Sequence, residues 1–176
     1  MLGDLRPGEP LAFRPFLLVG SPGCGKSRLI RRLGELLNVE VRRYDAAGSS
    51  DNSFGGTPKR WTPATPCFPL QCVADTKTAN PIVMVDEIDK CGQGSAGSLA
   101  QALMPFLERE TAHAYLDPCL ETECDLSRVN YCMTANDDTK LPSPLRDRIR
   151  IIRVRALARS TSNPWLGPFS RIWRRK

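Results

Sequence analysis

Residues 20–27 read Gly20-Ser21-Pro22-Gly23-Cys24-Gly25-Lys26-Ser27, a glycine-rich run closed by an ammonium and a hydroxyl. Those types at that spacing suit a nucleoside triphosphate. Glycines let backbone N–H groups curl around phosphate oxygens, Lys26 reaches the terminal phosphates, and Ser27 offers its oxygen to a magnesium ion. At the polar end of the apolar run Ile82-Val83-Met84-Val85 stand two adjacent carboxylates, Asp86 and Glu87. Asp86 can support the metal shell, while Glu87 can orient and deprotonate the water that attacks the terminal phosphate; an acidic pair after a strand also serves as a helix cap. A third run, VNYCMTAN, ends in Asn136, whose amide can polarise the same water or can form a turn. In LPSPLRDRIRII, Arg146 and Arg148 precede the last apolar run. Either guanidinium can neutralise charge on a neighbouring subunit's nucleotide, or pair with Asp147 at the surface.

For these groups to meet, the segments between them must form strands and helices of particular lengths. Residues 15–20 carry the apolar run FLLV and suit a buried parallel strand. Leu29, Ile30, Leu33, Leu36 and Leu37 recur at helical spacing among Arg28, Arg31, Arg32 and Glu35, predicting an amphipathic helix over 26–37 with a basic outer face. Strands are expected at 39–44, 82–85, 129–134 and 149–154, and helices at 70–78 and 98–107. Residues 45–66 shift to Gly, Ser, Thr, Pro and Asn and are expected to form a long loop whose only aromatic residues are Phe54 and Trp61. Five strands alternating with helices imply an α/β fold, a mostly parallel five-stranded sheet covered on both faces in three layers.

Composition narrows the partners. The chain has 176 residues, 41% hydrophobic and 25% charged, which is ordinary for one globular domain and excludes collagen-like or wholly disordered classes. The net charge of +6 is concentrated: residues 146–176 hold 10 basic residues and one acidic residue, whereas 1–145 are acidic overall. That distribution argues against a nucleic-acid-binding core, although the basic end alone suits phosphates. No apolar run reaches the roughly 20 residues of a membrane span, and the first residues lack the pattern of a secretory leader, so a cytoplasmic location is expected. Seven cysteines without a CxxC pair, with His113 the single histidine, give poor support to a structural zinc site. The expected organisation is a lead-in over 1–14, a core over 15–155 and a basic tail over 156–176 that is expected to be solvated or disordered, with Trp165, Phe169 and Trp173 offering a small docking segment as the alternative.

GSPGCGKS, VDEIDK, DLSRVNYCMTAN and LPSPLRDR, in that order, resemble the AAA+ ATPases, most closely the ATPase module of the Lon protease family. The resemblance implies a P-loop nucleotide-binding core that assembles into a homo-oligomeric ring, with ATP and Mg2+ as cofactors and protein remodelling as the work done. On it, Lys26 and Ser27 match the Walker A positions and Asp86 and Glu87 the Walker B pair. Asn136 matches the sensor asparagine and Arg148 the arginine finger, with Arg146 second. Phe54-Gly55-Gly56 occupies the place of an aromatic element that grips an unfolded polypeptide substrate. Counterparts of the family's helical lid, substrate-recruiting domain and protease domain are not expected within these residues, and Ser95 in GSAG falls inside the ATPase module, so protease activity is not expected of this chain alone. Two other readings remain open: a nucleotide-binding fragment without turnover, and a loader-type ATPase associated with nucleic acid.

Overall fold

The computed structural model describes residues 11–47, 51–61, 63–90 and 93–155. The organisation expected for 1–10 and 156–176, including the docking segment, lies outside these residues.

Strand β1 (Phe16–Val19) leads through the glycine-rich turn into helix α1 (Lys26–Leu37), then β2 (Val41–Asp45), α2 (Asp51–Gly55), α3 (Phe68–Thr76) and β3 (Ile82–Asp86). After a 3-10 turn (Ile88–Lys90) come α4 (Gln93–Leu107), α5 (Arg109–His113) and the strands β4 (Tyr115–Asp117) and β5 (Thr122–Cys124). Strand β6 (Asn130–Ala135), a second 3-10 turn (Asp138–Lys140), α6 (Ser143–Arg148) and β7 (Arg150–Arg153) complete the order.

β2, β3, β6, β1 and β7 lie side by side in that order, and all four pairings are parallel, as the alternating pattern predicts. Period-two alternation divides their side chains between two faces. Leu17, Val19, Val83, Val85, Tyr131, Met133 and Ala135 join a large core with α2, α3, α4 and α6. Leu18, Ile82, Met84 and Cys132 join Ile30 of α1 in a smaller one. These are the three layers.

Helix α1 turns Lys26, Ile30 and Gly34 toward the sheet at i, i+4 and i+8. Its start requires Gly25, whose φ of 93° is open to glycine and strained for other residues. The apolar stripe is wider than the buried one. Leu29 and Leu36 remain 52% and 69% exposed, and Leu29, Leu33 and Leu37 line an open groove of about 880 Å³ with Phe13, Phe16 and Ile152.

Three expectations need correction. The segment 45–66 is not loop throughout, because α2 forms inside it. Helix α4 starts at Gln93, so most of the glycine-rich stretch before residue 98 is helical; packing of its later turns through Leu99, Leu103 and Phe106 overrides glycine's poor propensity. The short antiparallel β4–β5 pair was not expected at all.

Candidate functional site

Parallel strands present their carboxyl ends on one edge of the sheet, and there the loops after β1, β3 and β6 converge. Lys26, only 8% exposed, donates to the carbonyl oxygens of Gly20 at 2.7 Å and Ser21 at 3.2 Å, and to Asn136 Oδ1 at 2.9 Å. Lys26 and Asn136, 110 positions apart in sequence, thus meet through one ammonium. Ser27 Oγ donates to Asp86 Oδ1 at 2.9 Å. Having given its hydrogen to the carboxylate, Ser27 keeps its oxygen lone pairs available, which fits a hard cation such as magnesium. Four of the expected site residues therefore meet as two hydrogen-bonded pairs, Lys26 with Asn136 and Ser27 with Asp86.

Asp86 is 5% exposed. Burial pushes its carboxyl upward, but hydrogen bonds from Thr134 and Ser27 and the Arg43 guanidinium outweigh that and hold it below the usual carboxylate value. It therefore stays ionised at neutral pH.

Glu87 lies one residue beyond, with φ at 57°, a left-handed conformation rare outside glycine. Its N–H donates to Thr134 Oγ1 at 3.0 Å, and Thr134 in turn donates to Asp86 Oδ1. One buried hydroxyl thus locks both members of the acidic pair to β6. The Glu87 carboxylate accepts from Lys90 Nζ at 2.8 Å. Asp89, in the same 3-10 turn, accepts through Oδ2 from the N–H groups of Asn136 and Asp137 at 2.9 and 3.1 Å, and so fixes the loop that carries Asn136.

The arginines are more remote from this cluster. Arg148 Nε is bound to Glu108 Oε1 at the α4–α5 junction, and its Nη1 donates to the Pro144 carbonyl at 3.2 Å. Arg146 is partly exposed on α6. Neither touches the cluster around Lys26 within this subunit.

Phe54 requires the largest correction. It is 0% exposed, surrounded by the rings of Tyr44 at 4.9 Å, Phe106 at 5.6 Å and Phe68 at 6.0 Å between centroids. A ring so enclosed does not meet an external chain. The exposed aromatic of this region is Trp61, 49% exposed between Arg60 and Pro63 in a projection whose base is tied by Thr57 N–H to the Thr65 carbonyl at 2.9 Å. Lys59 N–H, bonded to the Pro118 carbonyl at 3.1 Å, braces the projection against the β4–β5 turn.

Sequence reasoning passed over Thr134, Arg43, Lys90 and Asp89. Two of them carried a signal: Thr134 is a hydroxyl between the apolar Met133 and Ala135 near the end of its strand, and Asp89 repeats the acidic type three residues after Asp86.

Among the described residues no helix is long and apolar enough to cross a membrane, and no cluster of His, Cys, Asp or Glu has metal-binding geometry by itself.

Comparison with known proteins follows the same lines. The model of the ATPase family associated with various cellular activities (AAA) matches residues 16–156. The mitochondrial Lon protease homologues of Bos taurus and Homo sapiens are each 38% identical over 136 residues, which is 77% of this chain and 14% of theirs. Lon protease homolog 1, mitochondrial, of Arabidopsis thaliana is 38% identical over 138 residues, 78% of this chain and 15% of its own. The chain spans only about a seventh of the length of these relatives.

Proposed function

From the premise that the chain belongs to the AAA ATPase family, we propose that it binds ATP with magnesium at the carboxyl edge of the sheet and hydrolyses it, coupling turnover to the remodelling of polypeptide. The observation that carries the reading is the meeting of Lys26 with Asn136 and of Ser27 with Asp86, each at 2.9 Å. The backbone of Gly20, Ser21, Pro22, Gly23, Cys24 and Gly25 cradles the phosphates, and Lys26 exchanges its internal acceptors for phosphate oxygens. Ser27 would hold magnesium with support from Asp86, and the ion would supply charge neutralisation at the phosphates. Glu87 takes the proton of the attacking water, and Asn136 holds that water in line.

Turnover on this reading needs a homo-oligomeric ring. Arg148 is bound to Glu108 within its own subunit, so it serves a neighbour's nucleotide only after exchanging that carboxylate for phosphate. Arg146 stands beside it as the second choice. The same observation favours a second reading for the isolated chain, a nucleotide-binding fragment that does not turn over because Glu87 stays on Lys90 and Arg148 on Glu108. Where the ring grips a polypeptide, Trp61 replaces Phe54 as the gripping aromatic. A cytoplasmic location is expected from the lack of a membrane-length apolar run and of a secretory pattern, while the relatives are mitochondrial by name.

ATP binding and turnover by the whole chain, measured over a protein concentration series beside Lys26→Ala, test the proposal. Binding that needs Lys26 and specific activity that rises with concentration are expected. Lys26-dependent binding without turnover at any concentration selects the fragment reading, and binding indifferent to Lys26 removes the site.

A further inference from the structure

The two oxygens of Asp86 are held by different kinds of group. Oδ1 receives two hydroxyl hydrogens, from Ser27 and Thr134, which satisfies its lone pairs. Oδ2 therefore remains as the oxygen open to a metal ion's coordination shell, and it faces Arg43 Nε at 2.9 Å. Arg43 comes from β2, the strand beside β3, two residues before Asp45 and so on the same face. The parallel register sets Asp45 opposite Asp86. Arg43 Nη2 lies 3.9 Å from Asp45 Oδ2. One guanidinium thus stands between a buried carboxylate and an exposed one, their side chains 7% and 54% accessible, and with 47% of its own side chain accessible it has room to move between them.

A guanidinium keeps its charge at every accessible pH. Beside a carboxylate as buried as Asp86 that charge is weakly screened. It occupies the position and sign that a divalent cation's hydration shell would otherwise take at Oδ2.

We propose that Arg43 is an internal counter-cation of the nucleotide site: it competes with the divalent metal for Asp86, withdraws to Asp45 when metal and nucleotide enter, and so sets the metal concentration at which nucleotide is held. The proposal rests on the nucleotide-site reading above. Arg43 is a positioning residue that touches neither phosphate nor the reacting water. Its effect is on metal affinity, with the nucleotide affinity at saturating metal left within about twofold of the parent.

The test reads binding and not turnover. A fluorescent ATP analogue is titrated onto the whole chain at a series of Mg2+ concentrations, and the Mg2+ concentration for half-maximal binding is compared among the parent, Arg43→Gln, Arg43→Lys and Asp45→Asn. Removing the competing charge in Arg43→Gln lowers that midpoint about five- to tenfold. Arg43→Lys, which keeps a cation, stays within about twofold of the parent, and Asp45→Asn, which removes the second resting place, raises the midpoint about two- to threefold. A midpoint unchanged or raised in Arg43→Gln overturns the proposal while leaving the site intact. If Arg43→Gln fails to fold in a urea titration, Asp45→Asn decides alone, because an unchanged midpoint there also overturns it. Nucleotide binding by the parent that ignores Mg2+ overturns the site reading and the proposal together.

Discussion

Tyr44 and Asp45 are neighbours on β2, yet they belong to two regions built on opposite principles. Tyr44 packs edge-on against Phe54 and Phe68, and the series continues through Phe106 to Tyr115 and Tyr131. Asp45 faces the carboxyl edge, where Arg43 meets Asp86, Lys90 meets Glu87 and Lys26 meets the oxygens of Gly20, Ser21 and Asn136. In the aromatic region each contact is made once, on folding, and has no replacement. At the edge Lys26, Arg43, Asp86 and Glu87 each already have a partner of opposite charge or polarity, so under the proposed function binding and catalysis would proceed by exchange of partners. A small domain can thereby keep charged groups ordered without burying an unpaired charge, whose cost is several kcal/mol.

If the division holds, substitutions on the two sides separate chemistry from stability. The largest effect is expected at the edge. Glu87→Gln keeps the side chain's size and removes the proton acceptor, so turnover falls about 10²- to 10⁴-fold while ATP binding persists; a rate equal to the parent's in single-turnover hydrolysis would give the base to another group. Next is the aromatic region. Phe54→Ala leaves a cavity among three rings and costs about 3–5 kcal/mol of stability, read from urea unfolding, with ATP affinity of the folded protein changed by no more than about twofold. A loss of affinity well beyond that would join the two regions into one.

The smallest effect sharpens the boundary through pH. Asp117, fully buried, accepts the N–H groups of Cys67, Cys119 and Leu120 at 2.8–2.9 Å. Burial raises its carboxyl, but those N–H groups prevail and hold it below the ordinary value. A depressed folded pKa contributes stability above the unfolded value of about 3.9 and loses it as pH falls through the folded value. Asp117→Asn should therefore be less stable than the parent at pH 7 by about 1–2 kcal/mol, the gap closing below about pH 4. Urea midpoints across pH 7 to 3 measure it; a gap independent of pH would assign Asp117 a packing role alone.

The phosphate loop was legible because its information is local: eight consecutive residues between an apolar run and an amphipathic helix specify turn, cap and charge together. The acidic pair was legible by the same logic, and the sheet followed from the alternation of the segments. What escaped is non-local. Phe54 stands in a stretch of polar and small residues, so composition assigns it to solvent; its burial is decided by Tyr44, Phe68 and Phe106, which the sequence does not place beside it. For Arg148 the sequence offers a neighbouring nucleotide or Asp147 as partner, because Glu108, its actual partner, is 40 positions away. The strands β4 and β5 have three residues each, too short for alternation to register. Trp61 was noticed in the sequence but had no signal to distinguish it from Phe54 until exposure did so.

The turn at Gly20 has a mechanical consequence. A Cβ there would fall 2.3 Å from the Val154 carbonyl oxygen, and Val154 N–H is bonded to the Val19 carbonyl at 2.7 Å. The residue that follows β7 thus bears directly on the glycine-rich loop, with no side chain between them to act as a cushion. Close-packed atoms transmit displacement instead of absorbing it. Displacement of the chain at Val154 is therefore passed to the turn at Gly20, and displacement of the turn to Val154; under the proposed nucleotide-binding reading this junction would act as a push-rod, and the missing side chain of one glycine sets its play.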